Sequence, residues 1–143
     1  METKSFTIQN NNFSRRIITD VIVFNSALEQ ELNVKALWDT GATKSVITEN
    51  LAKALNLEKV TIAQITSANG IDEMPVYMVN FKLPNDMNVT GVKVISCKSI
   101  HDFDAIIGMD IITGGDFAIT GKLGNTKFSF RMPSIADVDF TEK

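Results

Sequence analysis

The run Val34-Lys35-Ala36-Leu37-Trp38 leads directly into Asp39-Thr40-Gly41-Ala42, and this junction constrains the chain more than any other feature. A β-patterned, largely apolar segment that ends on a carboxylate and then on small residues delivers one acid into a tight turn, where it can be presented to a substrate. Farther on, Phe103-Asp104-Ala105-Ile106-Ile107-Gly108-Met109-Asp110 supplies a second apolar strand, this one ending on a glycine. Asp-Thr-Gly by itself is a common turn sequence, because Asp accepts backbone hydrogen bonds and Gly tolerates positive φ. The apolar strand before it, the small residue after it and the distant Ile-Ile-Gly give it a context that a bare turn lacks.

The chain has 143 residues, enough for one domain over 1–143 with a real core. Hydrophobic residues make up 44%, yet no apolar run approaches the ~20 residues of a membrane helix, so no membrane partner is expected. Met1-Glu2-Thr3-Lys4 carries no basic segment leading into an apolar one, which predicts a cytoplasmic protein. A formal net charge of -3 leaves no basic footprint for a phosphate backbone, and Arg15-Arg16 is too short to make one. Nucleic acid is therefore not an expected partner. Cys97 is the single cysteine, which rules out an internal disulfide and a cysteine-rich zinc site; its alternating surroundings suit a small, semi-buried residue. His101 is the single histidine and is read as a loop residue rather than the base of a Ser or Cys nucleophile.

No repeat or linker divides the sequence, and its periodicity is that of a β-rich body. Ile17 to Phe24 and Leu32 to Trp38 read as a hairpin turning at Asn25-Ser26. Thr48 is placed as the N-cap of a short helix, with Leu51, Ala52 and Leu55 on one face and an end near Asn56. Val60 to Thr66 and Pro75 to Leu83 form a second hairpin around Ser67 to Glu73, where Asn69-Gly70 marks the turn. Pro84-Asn85-Asp86 turns the chain into a strand over Val89 to Ser96. Met109 to Thr113 forms a short helix stopped by Gly114-Gly115. A last hairpin joins Asp116 to Thr120 with Lys127 to Arg131, and the acidic tail 133–143 is expected to be flexible unless docked.

Asp39-Thr40-Gly41-Ala42 and Ile106-Ile107-Gly108, at their observed separation, resemble the two signatures of the retroviral-type aspartic peptidases, the retropepsin-like family. The similarity runs from about Ile17 to Phe130 and is specific only at Asp39 to Ala42 and Ile106 to Asp110. It implies a mainly β fold: a retropepsin-like closed β-barrel, the acid-protease lobe, with one or two short helices and a β-hairpin flap. It also implies an aspartic endopeptidase that hydrolyses peptide or protein substrates with no cofactor and no metal. Aspartic peptidases need two carboxylates, and this chain holds one Asp-Thr-Gly with no second Asp-Thr-Gly or Asp-Ser-Gly. The resemblance therefore implies a homodimer whose twofold axis passes between two copies of Asp39.

By the same resemblance Asp39 is catalytic, and the Thr40 hydroxyl reaches across the axis to brace the two loops. Gly41 brings its backbone N–H to the carboxylate, Ala42 lines the groove, and Gly108 packs beneath the loop where a side chain would collide. The tip Ala68-Asn69-Gly70 falls where the family places its substrate-covering flap. Two positions depart from the viral pattern. Met109 stands where many retroviral enzymes carry an arginine that braces the dimer, so Asp110 is expected to have a different partner. Trp38 is bulkier than the usual aliphatic residue before the aspartate. The hairpin after Gly114 is closer to the cellular and bacterial branches.

Other readings compete on the same residues. One is a catalytically silent retropepsin-like domain that binds peptides by strand addition. Another is a small ligand- or nucleic-acid-binding barrel in which Phe6, Phe13, Phe24 and Phe128 form a stacking platform, although their spacing within strands favours core packing. Gly41-Ala42-Thr43-Lys44-Ser45 lacks the upstream glycine of a phosphate-binding loop. Asp102, Asp104, Asp110 and His101 have no metal-selecting spacing and are read as solvated loop and helix-end groups.

Overall fold

The computed structural model describes residues 2–142. In chain order the strands are Lys4–Gln9 (β1), Ile17–Asn25 (β2), Gln30–Trp38 (β3), Val46–Thr48 (β4), Lys59–Ser67 (β5), Gly70–Leu83 (β6), Met87–Cys97 (β7), Ala105–Ile107 (β8), Asp116–Thr120 (β9) and Lys127–Met132 (β10). Two short helices, Glu49–Ala54 (α1) and Met109–Ile112 (α2), interrupt them, and Lys122–Gly124 makes a 3-10 turn. β1 and β4 are not among the strands expected from periodicity; β1 forms against β10, and β4 against β7 and β8, all far away in sequence.

Hydrogen bonding runs in the order β2-β3-β8-β4-β7-β6, and β6 returns to pair with β2 through Ile22↔Lys82 and Phe24↔Asn80. That return closes a six-stranded barrel, which removes the edges an open sheet would expose. β5 pairs with the part of β6 that projects beyond this ring, so the two form a hairpin arm. The arm turns at Ala68-Asn69, with Ser67 paired to Gly70 and Gly70 at φ +117. Ile71, Asp72 and Glu73 are therefore strand residues, and the expected seven-residue connection contracts to two.

A separate three-stranded sheet, β1-β10-β9, lies against the barrel and its apolar side completes the core. Phe128 and Phe130 are fully buried there, each contributing on the order of 1.5–3 kcal/mol on area grounds. Trp38 inserts between the two layers, its ring 5.0 Å from Phe128, 5.1 Å from Phe130 and 5.8 Å from Phe6. Its indole Nε1–H donates to Thr19 Oγ1 at 2.8 Å, so the polar edge of a buried tryptophan is satisfied. Phe6 and Phe128 are core residues, Phe13 is exposed and Phe24 lies at the other end of β2, so these four do not share a stacking face.

The helix start agrees with the sequence reading. Thr48 Oγ1 accepts from Leu51 N at 3.2 Å, and Asn56, at φ 51, ends the turn after the helix. Beyond Pro133 the chain is anchored before it becomes irregular. Ser134 Oγ and the Ile135 N–H both donate to the Asp116 carboxylate, which also receives Arg131 Nε at 2.6 Å.

Candidate active site

Parallel pairing builds the site. β3 and β8 run side by side in the same direction, with Ala36↔Ala105, Leu37↔Ile106 and Trp38↔Ile107 in register, so both apolar runs end at the same place. The segments just beyond the two strands are thereby brought together: the Asp39 loop from one, Gly108 and α2 from the other. The Asp39 N–H donates to Ile107 O at 2.9 Å, and the Met109 N–H donates to Ala42 O at 2.8 Å. Two segments more than 60 residues apart share one backbone hydrogen-bond network.

Within the loop, the Gly41 N–H donates to Asp39 Oδ1 at 2.8 Å, and the Ala42 N–H donates to Asp39 O at 3.2 Å. A Cβ on Gly41 would sit 3.1 Å from that same carboxylate oxygen, so glycine permits the close approach. Asp39 is half-buried, while Thr40 beside it is exposed. An acid held from one side by a backbone N–H and open on the other can face a second group.

Gly108 is buried against the loop. A Cβ there would lie 2.8 Å from Ala42 O, Lys44 C and Lys44 O, all backbone atoms that cannot swing away. Its N–H donates to Ser45 Oγ at 3.0 Å. Ser45 is fully buried and donates twice to one carboxylate, from Oγ to Asp110 Oδ1 at 2.7 Å and from its N–H to Asp110 Oδ2 at 3.0 Å. Asp110 Oδ1 also accepts the N–H of Ile111 at 3.0 Å. Asp110 is an exposed helix-end acid, as expected from sequence, and it also has a partner: through Ser45 it clamps the far end of the Asp39 loop to the first turn of α2. Ser45 was not singled out in the sequence, and its only signal was its place four residues beyond Gly41.

Asp39, Thr40, Gly41, Ala42 and Gly108 are therefore assembled in one place. Ala68, Asn69 and Gly70 stand at the end of the arm, and the bonds at this tip stay local: the Asn69 N–H donates to Ser67 Oγ at 3.3 Å. His101 is on an exposed turn next to Asp102, with 3.4 Å between Nε2 and Oδ2. Burial, then the negative charge of Glu49, raises the Cys97 thiol above its ordinary value, which keeps it a neutral, poorly nucleophilic group.

A family model described as "gag-polyprotein putative aspartyl protease" matches residues 26–113, more than half of the chain, including the Asp39 loop and Gly108. Comparison with curated proteins gave no match. Among solved structures, a retropepsin-like aspartic protease from Rickettsia conorii is similar, with a TM-score of 0.62 and 15% identity over 92% of this chain and 96% of that one. At that identity the likeness is one of fold. The EIAV protease in complex with the inhibitor HBY-793 has a TM-score of 0.48 and 25% identity over 71% of this chain and 88% of that one. Simian foamy virus (mac) protease has a TM-score of 0.47 and 17% identity, over 64% of this chain and 89% of that one. The extent of the family match, together with a barrel that carries Asp-Thr-Gly against Ile-Ile-Gly, establishes that this chain belongs to the gag-type, retropepsin-like aspartyl protease family.

Proposed function

We propose that the protein is an aspartic endopeptidase whose catalytic pair consists of Asp39 from each of two identical subunits. The observation that carries this reading is the half-site itself: one Asp-Thr-Gly loop, its carboxylate held by the Gly41 N–H, in a chain of this family with no second such motif. Two carboxylates about 3 Å apart do not both ionise, so the pair shares one proton, an effect for which aspartic proteases are the standard example. The charged member takes a proton from a water held between them as the water oxygen bonds to the scissile carbonyl carbon. The protonated member donates to the carbonyl oxygen, giving a neutral tetrahedral diol. The pair then gives its proton to the amide nitrogen and takes one from a diol hydroxyl as the C–N bond breaks, so that an amine and a carboxylic acid leave and the pair again holds one shared proton.

In this assembly Thr40, exposed beside Asp39, braces the loop of the facing subunit, and Ala42 lines the groove. Gly108 and the Ser45–Asp110 clamp fix the height of the loop from behind. The β5–β6 arm, tipped by Ala68-Asn69-Gly70, closes over bound substrate and excludes water. The test is peptide hydrolysis by wild-type and Asp39→Asn protein, with specific activity monitored on dilution. The expected result is a folded Asp39→Asn dimer that has lost nearly all activity, and a wild-type rate per subunit that falls below the dimer dissociation constant. Full activity in Asp39→Asn, or a constant specific rate from a monomer, overturns the reading.

A further inference from the structure

One edge of β6 changes partner along its length. It pairs with β5 over Gly70–Tyr77 and with β2 over Asn80–Lys82, and the two partner strands diverge at Met78-Val79. The fork leaves a groove of about 690 Å3, floored by Met78 and Val79 and walled by the β2–β3 turn on one side and the root of β5 on the other. Val60, an extra residue in β5 where Lys59 and Thr61 pair with the adjacent Tyr77 and Val76, forms a bulge at its rim. Neither the dyad nor the Asp39 loop contributes to this groove.

Leu28, Val60 and Met78 are 54%, 47% and 46% exposed around this one concavity. Single exposed apolar residues need no explanation, but several converging on a hollow mark a binding surface. The side-chain amides of the wall are already engaged. Asn25 Nδ2 donates to Leu55 O and Asn56 O; Asn80 Nδ2 donates to Ser26 Oγ while its Oδ1 accepts the Gly91 N–H. They frame the hollow rather than select a polar guest. Glu58 and Lys59, adjacent at the rim, cancel in charge. The volume lies within the ~300–1,000 Å3 of small-molecule sites, and the lining calls for an uncharged occupant.

We propose that this groove is a second binding site, for a neutral, mainly apolar small molecule, and that its occupancy restrains the β5–β6 arm. The β2–β3 turn and Met78, which pairs with Lys93 of β7, belong to the barrel, whereas Lys59 and Val60 belong to β5, an edge strand held by β6 that continues into the arm, so one molecule touches both barrel and arm strand. Contacts made in one arm position and lost in another bias the arm toward the first. Only the effect on catalysis rests on the arm serving as a lid; the binding site does not.

Nile red, a neutral apolar dye, is the probe. Titrated into wild-type protein, it should bind saturably, shift the amide signals of Leu28, Lys59, Val60 and Met78, and slow amide exchange at Ala68 and Asn69. Leu28→Asp and Val60→Asp, each at an exposed position, should weaken binding by roughly tenfold or more by placing a charge in the groove. Leu28→Ser is the milder replacement should Val60→Asp unfold. Phe140→Asp, at an exposed apolar residue elsewhere, should leave binding unchanged. Unsaturable binding, binding indifferent to the groove variants, or a Leu28→Asp protein that changes its mass in sedimentation, which would make the groove an interface between copies, overturns the site. Saturable binding without any change at the tip overturns the control of the arm. Asp39→Asn protein must bind the dye as wild type does, so retained hydrolysis in that variant would sink the peptidase reading and leave this one standing.

Discussion

The Ser45 hydroxyl donates to one oxygen of Asp110 at 2.7 Å while the Ser45 N–H donates to the other at 3.0 Å, and the same hydroxyl accepts the Gly108 N–H. One buried side chain thus joins the loop that carries Asp39 to the glycine and the helix behind it. Ser45→Ala removes the acceptor of a buried N–H and a donor to a charged group, at a cost of about 1–3 kcal/mol. Urea unfolding measures it. Thr43→Ala, two residues away and exposed, serves as the control and should stay within about 0.5 kcal/mol.

Gly108→Ala forces a methyl group to within 2.8 Å of three backbone atoms of the Asp39 loop. Overpacking of this kind costs roughly 1–3 kcal/mol, and relief requires the loop to move. The variant should lose thermal stability and lose proportionally more kcat than an equally destabilised variant at a distant site. Equal losses would mean that the loop height is not fixed from behind.

Gly70 at φ +117 has no atom within 4 Å of an added Cβ, so space is free and only the backbone resists a side chain. Gly70→Val should therefore cost about 1–3 kcal/mol of local strain at the arm tip without touching the core. Under the lid reading kcat/KM falls while subunit mass and Asp39 geometry persist. Wild-type kinetics in a folded dimer would detach the tip from substrate.

Trp38→Phe keeps an aromatic ring in the cluster but drops the indole donor to Thr19, which is itself buried. A loss of about 1–3 kcal/mol is expected from the hydrogen bond, with some addition from the smaller ring. The paired Trp38→Phe, Thr19→Val double variant should recover part of it, since no hydroxyl is then left alone. A double-mutant cycle in urea reads the coupling.

Asp116 is held well below the ordinary carboxylate range by the Ser134 hydroxyl, then by the Ile135 N–H and the Arg131 guanidinium. A depressed folded-state value means the tail anchor stabilises the protein above the usual aspartate value of about 4, and this is lost as pH falls through the folded value. The Ile135 amide signal should hold its neutral-pH position down to about pH 4 and move only below it. In Asp116→Asn it should show no such acid transition, and the tail beyond Pro133 should be cut faster by protease at neutral pH.

Local chemistry was enough for much of this chain. β2 and β3 were legible from β-branched runs flanking Asn25-Ser26, α1 from Thr48 at its cap, and the two signatures from apolar strands that end on Asp39 and Gly108. Each of those depends on neighbours within a few residues, where propensity, capping and turn chemistry act. β1 and β4, the return of β6 to β2, and the parallel contact of β3 with β8 depend on partners tens of residues away. Nothing in Lys4–Gln9 names β10 as its partner, and nothing in Asp110 names Ser45. Only the folded barrel, by aligning Trp38 with Ile107, decides that the two signatures meet. Only the fork of β6 between β5 and β2 opens the groove at the arm root. The sequence by itself determined the chemical groups and the local turns that hold them; long-range pairing, driven by burial that no short segment can achieve alone, decided which of them touch.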